Sequence, residues 1–345
     1  MQYIENVMLY CLKQLNGERT IYSIYHLLNG KKSSQTLQDA HLFLLKKYFR
    51  ILESLTREEF DKVMSRLIEK HYVEAIGDQK FVLSSLGEEV LQTTVPIEHL
   101  NGWKYHHLTS IVWERLSLLV QVTSNLTYHE AQYIPIQKSS DVHNWLKKLL
   151  KKQLIRRNEM GKALLTELVV CLEGAKDINP SVLVFRLTGY QQIGLTSIQT
   201  AQLLKMDVID YQLEFTSIIH YIIHRLEKDF TRFTLLSMLL YDIEENDILT
   251  LSARKTWRLL SQGFSLQQIG EIRKLKMSTI EDHLVEFALN VENFSIDTYV
   301  EKEMQQKILE ISRRESSRQL KVIRKYIEEA SYFQIRLVMA KHGER

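Results

Sequence analysis

The sequence contains little cysteine, proline or glycine for its length. Only 2 Cys, 3 Pro and 12 Gly occur among 345 residues. Cys11 and Cys171 each lie in an apolar run, without disulfide or zinc-ligand spacing, so we expect buried thiols in a reducing compartment. Because proline and glycine interrupt helices, their scarcity predicts long helices with few irregular connections.

Long apolar runs and a strong net charge are absent as well. No stretch reaches ~18 apolar residues without a charge, and the polar residues scattered through the N-terminus are unlike a signal peptide. The net charge of +3 is too small to make the whole surface bind phosphate, so any nucleic-acid affinity must come from local patches. The length predicts two or three domains. We expect a cytoplasmic protein that does not bind membranes.

Motifs for catalysis and metal binding are equally scarce. The string Asn29–Ser33 lacks the upstream glycine of a phosphate-binding loop, so the chain is not an ATP-driven motor. His220 and His224 have the i, i+4 spacing of metal ligands, but no glutamate follows the first of them. We interpret both as packed or surface histidines. The prediction is a protein that is not an enzyme, with no cofactor and no metal site.

Residues 1–95 are predicted to form a winged-helix domain. Thr56 and Glu59 have the spacing of a capping box at the start of an amphipathic helix. Gly77-Asp78 then separates two short alternating runs, which predicts a β-hairpin with a tight turn. Helices followed by a hairpin describe a winged helix. The alternative is a small α+β bundle without a nucleic-acid function.

Residues 96–245 are predicted to form a helical middle domain. Its main electrostatic feature is a run of cations with no acidic residue between them, which could neutralise several phosphates. The run consists of Lys147, Lys148, Lys151, Lys152, Arg156 and Arg157. The alternatives are a solvated helix face and a short helix on a membrane surface. Trp103 and Tyr105 could stack on unpaired bases, although core packing is the simpler interpretation.

Residues 246–345 contain the pattern of a helix-turn-helix. A helix over 252–261 is closed by Gly263, Ser265 with Gln268 opens the next helix, and Ser278 with Glu281 is a possible cap for the third. Gly270 occupies the position where a side chain would block two crossing helices. A single basic helix is predicted over 317–341.

Two stretches of this region resemble a known family. They are IGEIRKLKMSTIEDHL, with Ile269, Arg273, Thr279 and His283, and the later ASYFQIRLVMA, with Arg336. Over residues 256–340 they are similar to the helix-turn-helix domain appended to some RecQ-type DNA helicases. That domain also occurs in free-standing proteins of Gram-positive bacteria, the YpbB-like group, which residues 18–20 and 27–33 resemble as well.

The resemblance implies a function. It implies an accessory protein of DNA repair or recombination that binds DNA, single-stranded or forked rather than a defined operator, and acts with a RecQ-type helicase. The fold expected is mainly α, with an N-terminal winged helix and a C-terminal helix-turn-helix domain. The protein is expected to be cytoplasmic and nucleoid-associated. The alternatives are a sequence-specific transcriptional regulator and a protein–protein adaptor without intrinsic DNA affinity.

Three sets of residues are predicted to contact DNA. The cationic run of the middle domain is one set, and the helix-turn-helix and the winged helix supply the other two. The helix-turn-helix set is Arg273, Lys274, Lys276, Thr279 and His283. The winged-helix set is Arg57, Lys62, Arg66 and Lys80.

Three carboxylates complicate DNA binding by the last helix of the helix-turn-helix. Glu281, Asp282 and Glu286 would repel a phosphate backbone if they faced it. We therefore predict that these three residues dock a protein partner.

Overall fold

The computed structural model describes residues 2–152, 156–243, 249–315 and 319–343. The chain divides into two compact units, one of Met1–Val7 with Thr94–Glu244 and the other of Met8–Thr93 with Glu245–Arg345. The predicted mainly helical fold is confirmed. Among the described residues, no helix is long and apolar enough to cross a bilayer.

The first ninety-three residues form five helices, a short 3-10 turn at Lys46–Tyr48 and one hairpin. The helices are α1 (Tyr3–Leu15), α2 (Tyr22–Leu28), α3 (Ser34–Leu42), α4 (Arg57–Glu69) and α5 (Ser85–Thr93). Thr56 and Glu59 form the predicted capping box of α4. The predicted hairpin is present as β1 (Val73–Gly77) and β2 (Lys80–Leu83), which pair antiparallel.

The unit that contains residues 94–244 is built on a long helix whose apolar side chains are buried. Its helices are α6 (Gly102–Tyr105), α7 (Thr109–Thr127), α8 (Ser140–Lys152), α9 (Met160–Leu172), α10 (Ser181–Val184), α11 (Ser197–Leu203) and α12 (Val208–Lys228), with a 3-10 helix at Leu236–Leu240. Helix α12 packs on α7, α9, α10 and α11. Helix α8 adds Trp145 and Leu149 to the same core, because its apolar residues recur at helical spacing.

The C-terminal part of the other unit contains the helix-turn-helix and three further helices. The helices are α13 (Leu251–Ser261), α14 (Leu266–Arg273), α15 (Met277–Asn290), α16 (Lys302–Arg314), α17 (Leu320–Tyr326) and α18 (Tyr332–His342). The prediction of one continuous helix over 317–341 is wrong. Ile327 leaves the helical region of backbone space and Ser331 starts α18 with its own capping box to Gln334.

The three predicted domains differ from the two units. Residues 8–93 and 245–345 share one unit, because α3 packs against α15 and α18. The contact is polar at its edge: Ser34 donates to Asp282 across 248 residues of sequence. No local pattern predicts a pairing at that separation.

Candidate nucleic-acid interface

The turn between α14 and α15 is short and lies at the protein surface. Lys274 ends α14 in the left-handed conformation, with φ of 53°, and the N–H of Leu275 donates to the carbonyl of Gly270 at 3.0 Å. The predicted capping box of Ser265 and Gln268 begins α14. Gly263 has a φ of +87°, which explains a glycine at the end of α13.

Gly270 does not have the predicted steric role. A Cβ added there would lie 3.4 Å from the Leu275 carbonyl oxygen, an ordinary contact. The crossing of α14 and α15 therefore does not depend on this glycine. The predicted cap of α15 at Ser278 is also wrong, because α15 begins at Met277 and Lys276 occupies the N-cap position.

Helix α15 lies in the interior for most of its length. Every residue from His283 to Ala288 is buried, and Ile280 is buried as well. Helices α3, α13, α14 and α18 all pack on it. Only its beginning is open to solvent, where Met277 and Ser278 are exposed. This helix therefore cannot lie lengthwise in a DNA groove.

Thr256 joins two of the predicted DNA-contact residues to the core. Its hydroxyl accepts a hydrogen bond from the guanidinium of Arg273, which also donates to the Ser252 carbonyl at 2.7 Å. The same hydroxyl lies 2.8 Å from Nδ1 of His283. The threonine hydroxyl therefore joins the side chains of Arg273 and His283.

The position of His283 corrects the prediction that it contacts DNA. Its side chain is 6% exposed, and burial, together with the nearby charge of Arg273, lowers its pKa to about 4. The imidazole is therefore neutral near pH 7 and its Nδ1 is used inside the domain. Arg273 is half-buried and its guanidinium holds α14 to the start of α13, and its contact with DNA stays a prediction.

Two of the three carboxylates predicted to dock a partner, Asp282 and Glu286, make hydrogen bonds within the fold. Asp282 accepts hydrogen bonds from Ser34 at 3.0 Å and from Arg336 at 2.6 Å. Glu286 is 7% exposed and accepts from the backbone N–H and the hydroxyl of Thr250. Burial raises the pKa of Glu286. The burial of Glu286 corrects its predicted role in docking a partner. The Asp282 side chain is 40% exposed and Glu281 is half-buried, so docking by these two stays a prediction.

The exposed part of the helix-turn-helix is positively charged. Lys274 and Lys276 are exposed on the turn, and Thr279 is half-buried just inside α15. Lys276 makes no side-chain cap, so the first N–H groups of the helix face the same turn. A helix N-terminus flanked by two lysines favours an anion.

Helix α8 presents the predicted cationic run to solvent. Lys147, Lys148 and Lys151 are exposed, opposite the side that buries Trp145 and Leu149. Lys148 lies 4.0 Å from Asp242, a weak pairing at the surface. Arg156 and Arg157 are exposed after the helix. Lys152 is the last residue of α8, and its side chain lies outside the described residues.

The winged-helix set is more neutral than predicted. Lys62 pairs with Glu58 at 2.6 Å, and Arg57 pairs with Asp61 at 3.7 Å while its guanidinium stacks over Tyr22. Arg66 and Lys80 are half-buried. Acidic residues one turn away therefore offset two of the four predicted cations, which weakens the attraction of α4 for phosphate.

His220 of α12 is packed and His224 is exposed at the surface, the two kinds of position predicted for these histidines. His220 is 1% exposed, its Nδ1 accepts from the N–H of Asn101 at 3.1 Å, and its Nε2 lies 3.0 Å from the hydroxyl of Thr109. Burial lowers the pKa of His220 to about 3. His224 is near the hydroxyl of Tyr105 at 3.3 Å. The ring nitrogens of His220 are thus already used within the protein.

One group of side chains that the sequence did not indicate has the composition of a metal site. Glu98, His99 and Asp177 each place one ligand atom within 4.8 Å of the others. Nε2 of His99 lies 3.0 Å from a carboxylate oxygen of Asp177, the geometry of an ion pair when the histidine is protonated. The two carboxylates are exposed, and such pairs are common on protein surfaces.

Helices α13–α15 form a helix-turn-helix, so the chain is a helix-turn-helix protein. A domain of this class supports DNA binding. Residues 252–339 match the family described as "Helix-turn-helix domain". The whole chain is similar to Protein YpbB of Bacillus subtilis (strain 168), with 37% identity over 352 residues that cover 100% of this chain and 99% of that protein. The chain belongs to the YpbB family, which confirms the predicted resemblance. No solved structure matches it.

Proposed function

We propose that this protein is a non-catalytic DNA-binding accessory of DNA repair or recombination that acts with a RecQ-type helicase. The observation that carries the DNA part is the turn before α15. It presents Lys274 and Lys276 to solvent beside an N-terminus without a side-chain cap, within a recognised helix-turn-helix domain. Phosphate is the ligand that this combination favours.

The orientation of α15 strengthens this proposal. Acidic residues on this helix would oppose phosphate binding, but Asp282 and Glu286 are engaged by Arg336 and Thr250. The charge that faces solvent at the turn is therefore mainly positive.

The burial of α15 also indicates the kind of DNA. Direct readout needs several side chains against base edges in a groove. Here only the first turn of α15 is open, so contact with the backbone outweighs contact with bases. This favours recognition of DNA structure, such as forks or single strands, over a defined operator. A sequence-specific regulator is accordingly the weaker alternative.

The helicase partnership rests on the resemblance of residues 256–340 to the domain appended to RecQ-type helicases. A free-standing protein with this domain would supply in trans what some helicases carry in the same chain. Holding both the helicase and the DNA would raise the effective concentration of one at the other. In this proposal the protein works in the cytoplasm at the nucleoid.

The DNA contact is tested by removing the two lysines of the turn. Fluorescence anisotropy of the K274A/K276A variant with single-stranded, duplex and forked DNA is compared with wild type between 50 and 200 mM salt. We expect weaker binding to duplex and forked DNA and a salt slope reduced by about 1–2, since each phosphate contact adds about 0.9. K302A/K307A, which removes two exposed lysines of α16, is the matched control.

Absence of binding to all three DNAs at 50 mM salt would contradict intrinsic DNA recognition and favour the adaptor. An equal loss in both double variants would mean that only total charge matters, which contradicts a role for the turn.

The helicase part has its own experiment. A RecQ-type helicase that lacks a C-terminal helix-turn-helix domain is assayed for unwinding of forked DNA with and without this protein. We expect faster unwinding with the wild type and a loss of that effect with K274A/K276A. Unwinding that is unchanged by the wild type contradicts the partnership.

A further inference from the structure

Two tyrosines form a stacked pair on the surface of the unit that contains residues 94–244. The rings of Tyr128 and Tyr190 lie 4.4 Å apart between centroids, with 16° between their planes. Tyr128 is 61% exposed, and Tyr190 is half-buried. The stacked pair therefore presents an aromatic surface to solvent.

The backbone around both tyrosines holds the pair in place. Tyr128 follows directly on α7, and its N–H donates to the carbonyl of Asn125 at 3.1 Å. Tyr190 is on a tight turn in which Gly189 and Gln192 pair with each other. The N–H of Tyr190 donates to the hydroxyl of Ser124 at 2.9 Å, which joins this turn to α7. The stacked geometry is therefore built by main-chain contacts as well as by the rings.

Gly189 shows how closely the turn approaches α7. A Cβ at Gly189 would lie 2.9 Å from the hydroxyl oxygen of Ser124. The glycine permits the approach that brings Tyr190 to Tyr128. Ile193 follows on the same segment and is 82% exposed, so the surface beside the tyrosines is also apolar.

Arg156 and Arg157 are close in sequence to the start of α9, which lies at this end of the unit. Helix α9 starts against the last turns of α7, where a Cβ at Gly161 would lie 2.4 Å from the hydroxyl oxygen of Thr127. Arg157 precedes Gly161 by four residues, a separation that spans at most about 14 Å. The chain between them also turns, because the N–H of Glu159 donates to the carbonyl of Arg156 at 2.9 Å.

The charge near the tyrosines is predominantly positive. Arg156, Arg157 and Lys162 are exposed, and Lys162 lies on the first turn of α9. Glu159 offsets one of these charges. Glu130, whose carboxylate accepts from the N–H of Gln132 at 2.6 Å, offsets a second charge, so the net charge of these five residues is positive by one.

We infer that Tyr128 and Tyr190 form a stacking platform for the unpaired bases of single-stranded DNA, with Arg156, Arg157 and Lys162 along its phosphates. The inference rests on the proposed function, since it takes DNA as the ligand. Aromatic faces beside cations are the combination by which single strands are bound without sequence preference. Bases within a duplex are stacked on each other and cannot use the platform. The inference gives the middle of the chain a function of its own.

The experiment uses the full-length protein and a labelled oligothymidine, with a duplex of equal length for comparison. The variants are Tyr128→Ala, Tyr190→Ala and the conservative Tyr128→Phe. Phe230→Ala is the matched control, because Phe230 is an aromatic residue of the same unit with 52% exposure. Thermal unfolding followed by circular dichroism checks that each variant folds.

We expect each tyrosine-to-alanine variant to bind oligothymidine about tenfold more weakly, as base stacking on an aromatic ring is worth on the order of 1–3 kcal/mol. Tyr128→Phe retains the ring and should bind like wild type, as should Phe230→Ala. Duplex affinity should change little in any of them. The double variant with Arg156→Gln and Arg157→Gln should show a weaker dependence of oligothymidine affinity on salt concentration.

Alanine variants that keep full affinity for oligothymidine would overturn the platform while the proposed DNA-binding function survives. A wild-type protein that binds duplex or forked DNA but no single strand would overturn it as well. A wild-type protein that binds no DNA at all would contradict the proposed function itself. Equal weakening by Phe230→Ala would also count against a local role of the tyrosine pair.

Discussion

At the scale of single residues, Thr256 is central to the helix-turn-helix. Its buried hydroxyl accepts a hydrogen bond from Arg273 and lies 2.8 Å from Nδ1 of His283, so side chains of three helices meet at one oxygen atom. Arg273 and His283 both belong to the pattern by which the family resemblance was recognised. In this domain they make contacts within the fold, and the cations exposed on the turn are the less distinctive Lys274 and Lys276.

The buried His283 makes the stability of the fold depend on pH. Its pKa is lowered to about 4 in the folded chain, against an ordinary value of 6.5. Between these values His283 binds more protons in the unfolded chain than in the folded one. Its contribution to stability is therefore fully present above pH 6.5 and is lost as the pH falls through 4. Urea denaturation at several pH values should show this decline, and His283→Gln should reduce its slope.

His129→Asn is the matched control for that experiment. His129 is exposed and its backbone has a φ of 57°, a conformation that asparagine tolerates. The control should keep the pH dependence of wild type. His220, also buried with a lowered pKa, adds a decline of the same sign, so the slope in His283→Gln is reduced but not abolished. An unchanged slope in His283→Gln would contradict the neutral, buried imidazole.

At the scale of elements, most helices of this protein follow from local signals. The capping boxes at Thr56 and Ser265 were predictable from the sequence because the two partners of each box lie only three residues apart. The hairpin at Gly77 was predictable as well, because its turn and both strands are adjacent in the sequence. The break between α17 and α18 was missed, since no glycine or proline marks it and the apolar spacing runs through it.

At this scale, Arg336 and Asp282 belong to a group of hydrogen bonds that joins α3, α15 and α18, which we call the polar clasp. Arg336 on α18 donates to Asp282 on α15 at 2.6 Å and to Gln38 on α3 at 3.2 Å, and it also contacts Ser34. Asp282→Ala removes the carboxylate that pairs with a largely buried guanidinium. We expect a loss of about 1–2 kcal/mol in unfolding free energy, measured by urea denaturation.

The neighbouring Glu281→Ala is the control for the clasp. Glu281 is half-buried on the same helix, and its loss should change the unfolding free energy by no more than about 0.5 kcal/mol. Asp282→Ala could lower the unfolding free energy as little as the control and yet abolish binding of a protein partner. That outcome would favour the predicted role of Asp282 in docking a partner.

At the scale of the whole molecule, the organisation could not be deduced from sequence patterns. The contacts that define the two units join residues as far apart as Ser34 and Arg336, which are separated by 302 positions. Tyr128 and Tyr190 are likewise brought together only by the fold. Tyr105, for which core packing was the simpler interpretation, is 3% exposed, but its hydroxyl bond to Glu227 joins residues far apart in the sequence. Hydrophobic periodicity specifies helices but not which helices pack together.

The shared unit predicts the behaviour of an isolated C-terminal fragment. Residues 246–345 alone would leave α15 and α18 without α3, which exposes apolar surface. We expect this fragment to unfold with low cooperativity and to bind the dye ANS, and we expect addition of residues 8–93 to reverse both effects. A fragment that unfolds cooperatively at the temperature of the full chain would contradict this role for α3.

The division into units also has a consequence for the order of events on the ribosome. Residues 8–93 emerge early, yet the helices that complete their unit, α13–α18, are synthesised only after all of residues 94–244. Domains generally fold as they emerge, so the intervening unit can close while the earlier segment still waits. During that interval α3 presents an uncovered face. We therefore expect a chaperone to bind the nascent chain at this stage of synthesis, when that face of α3 is exposed.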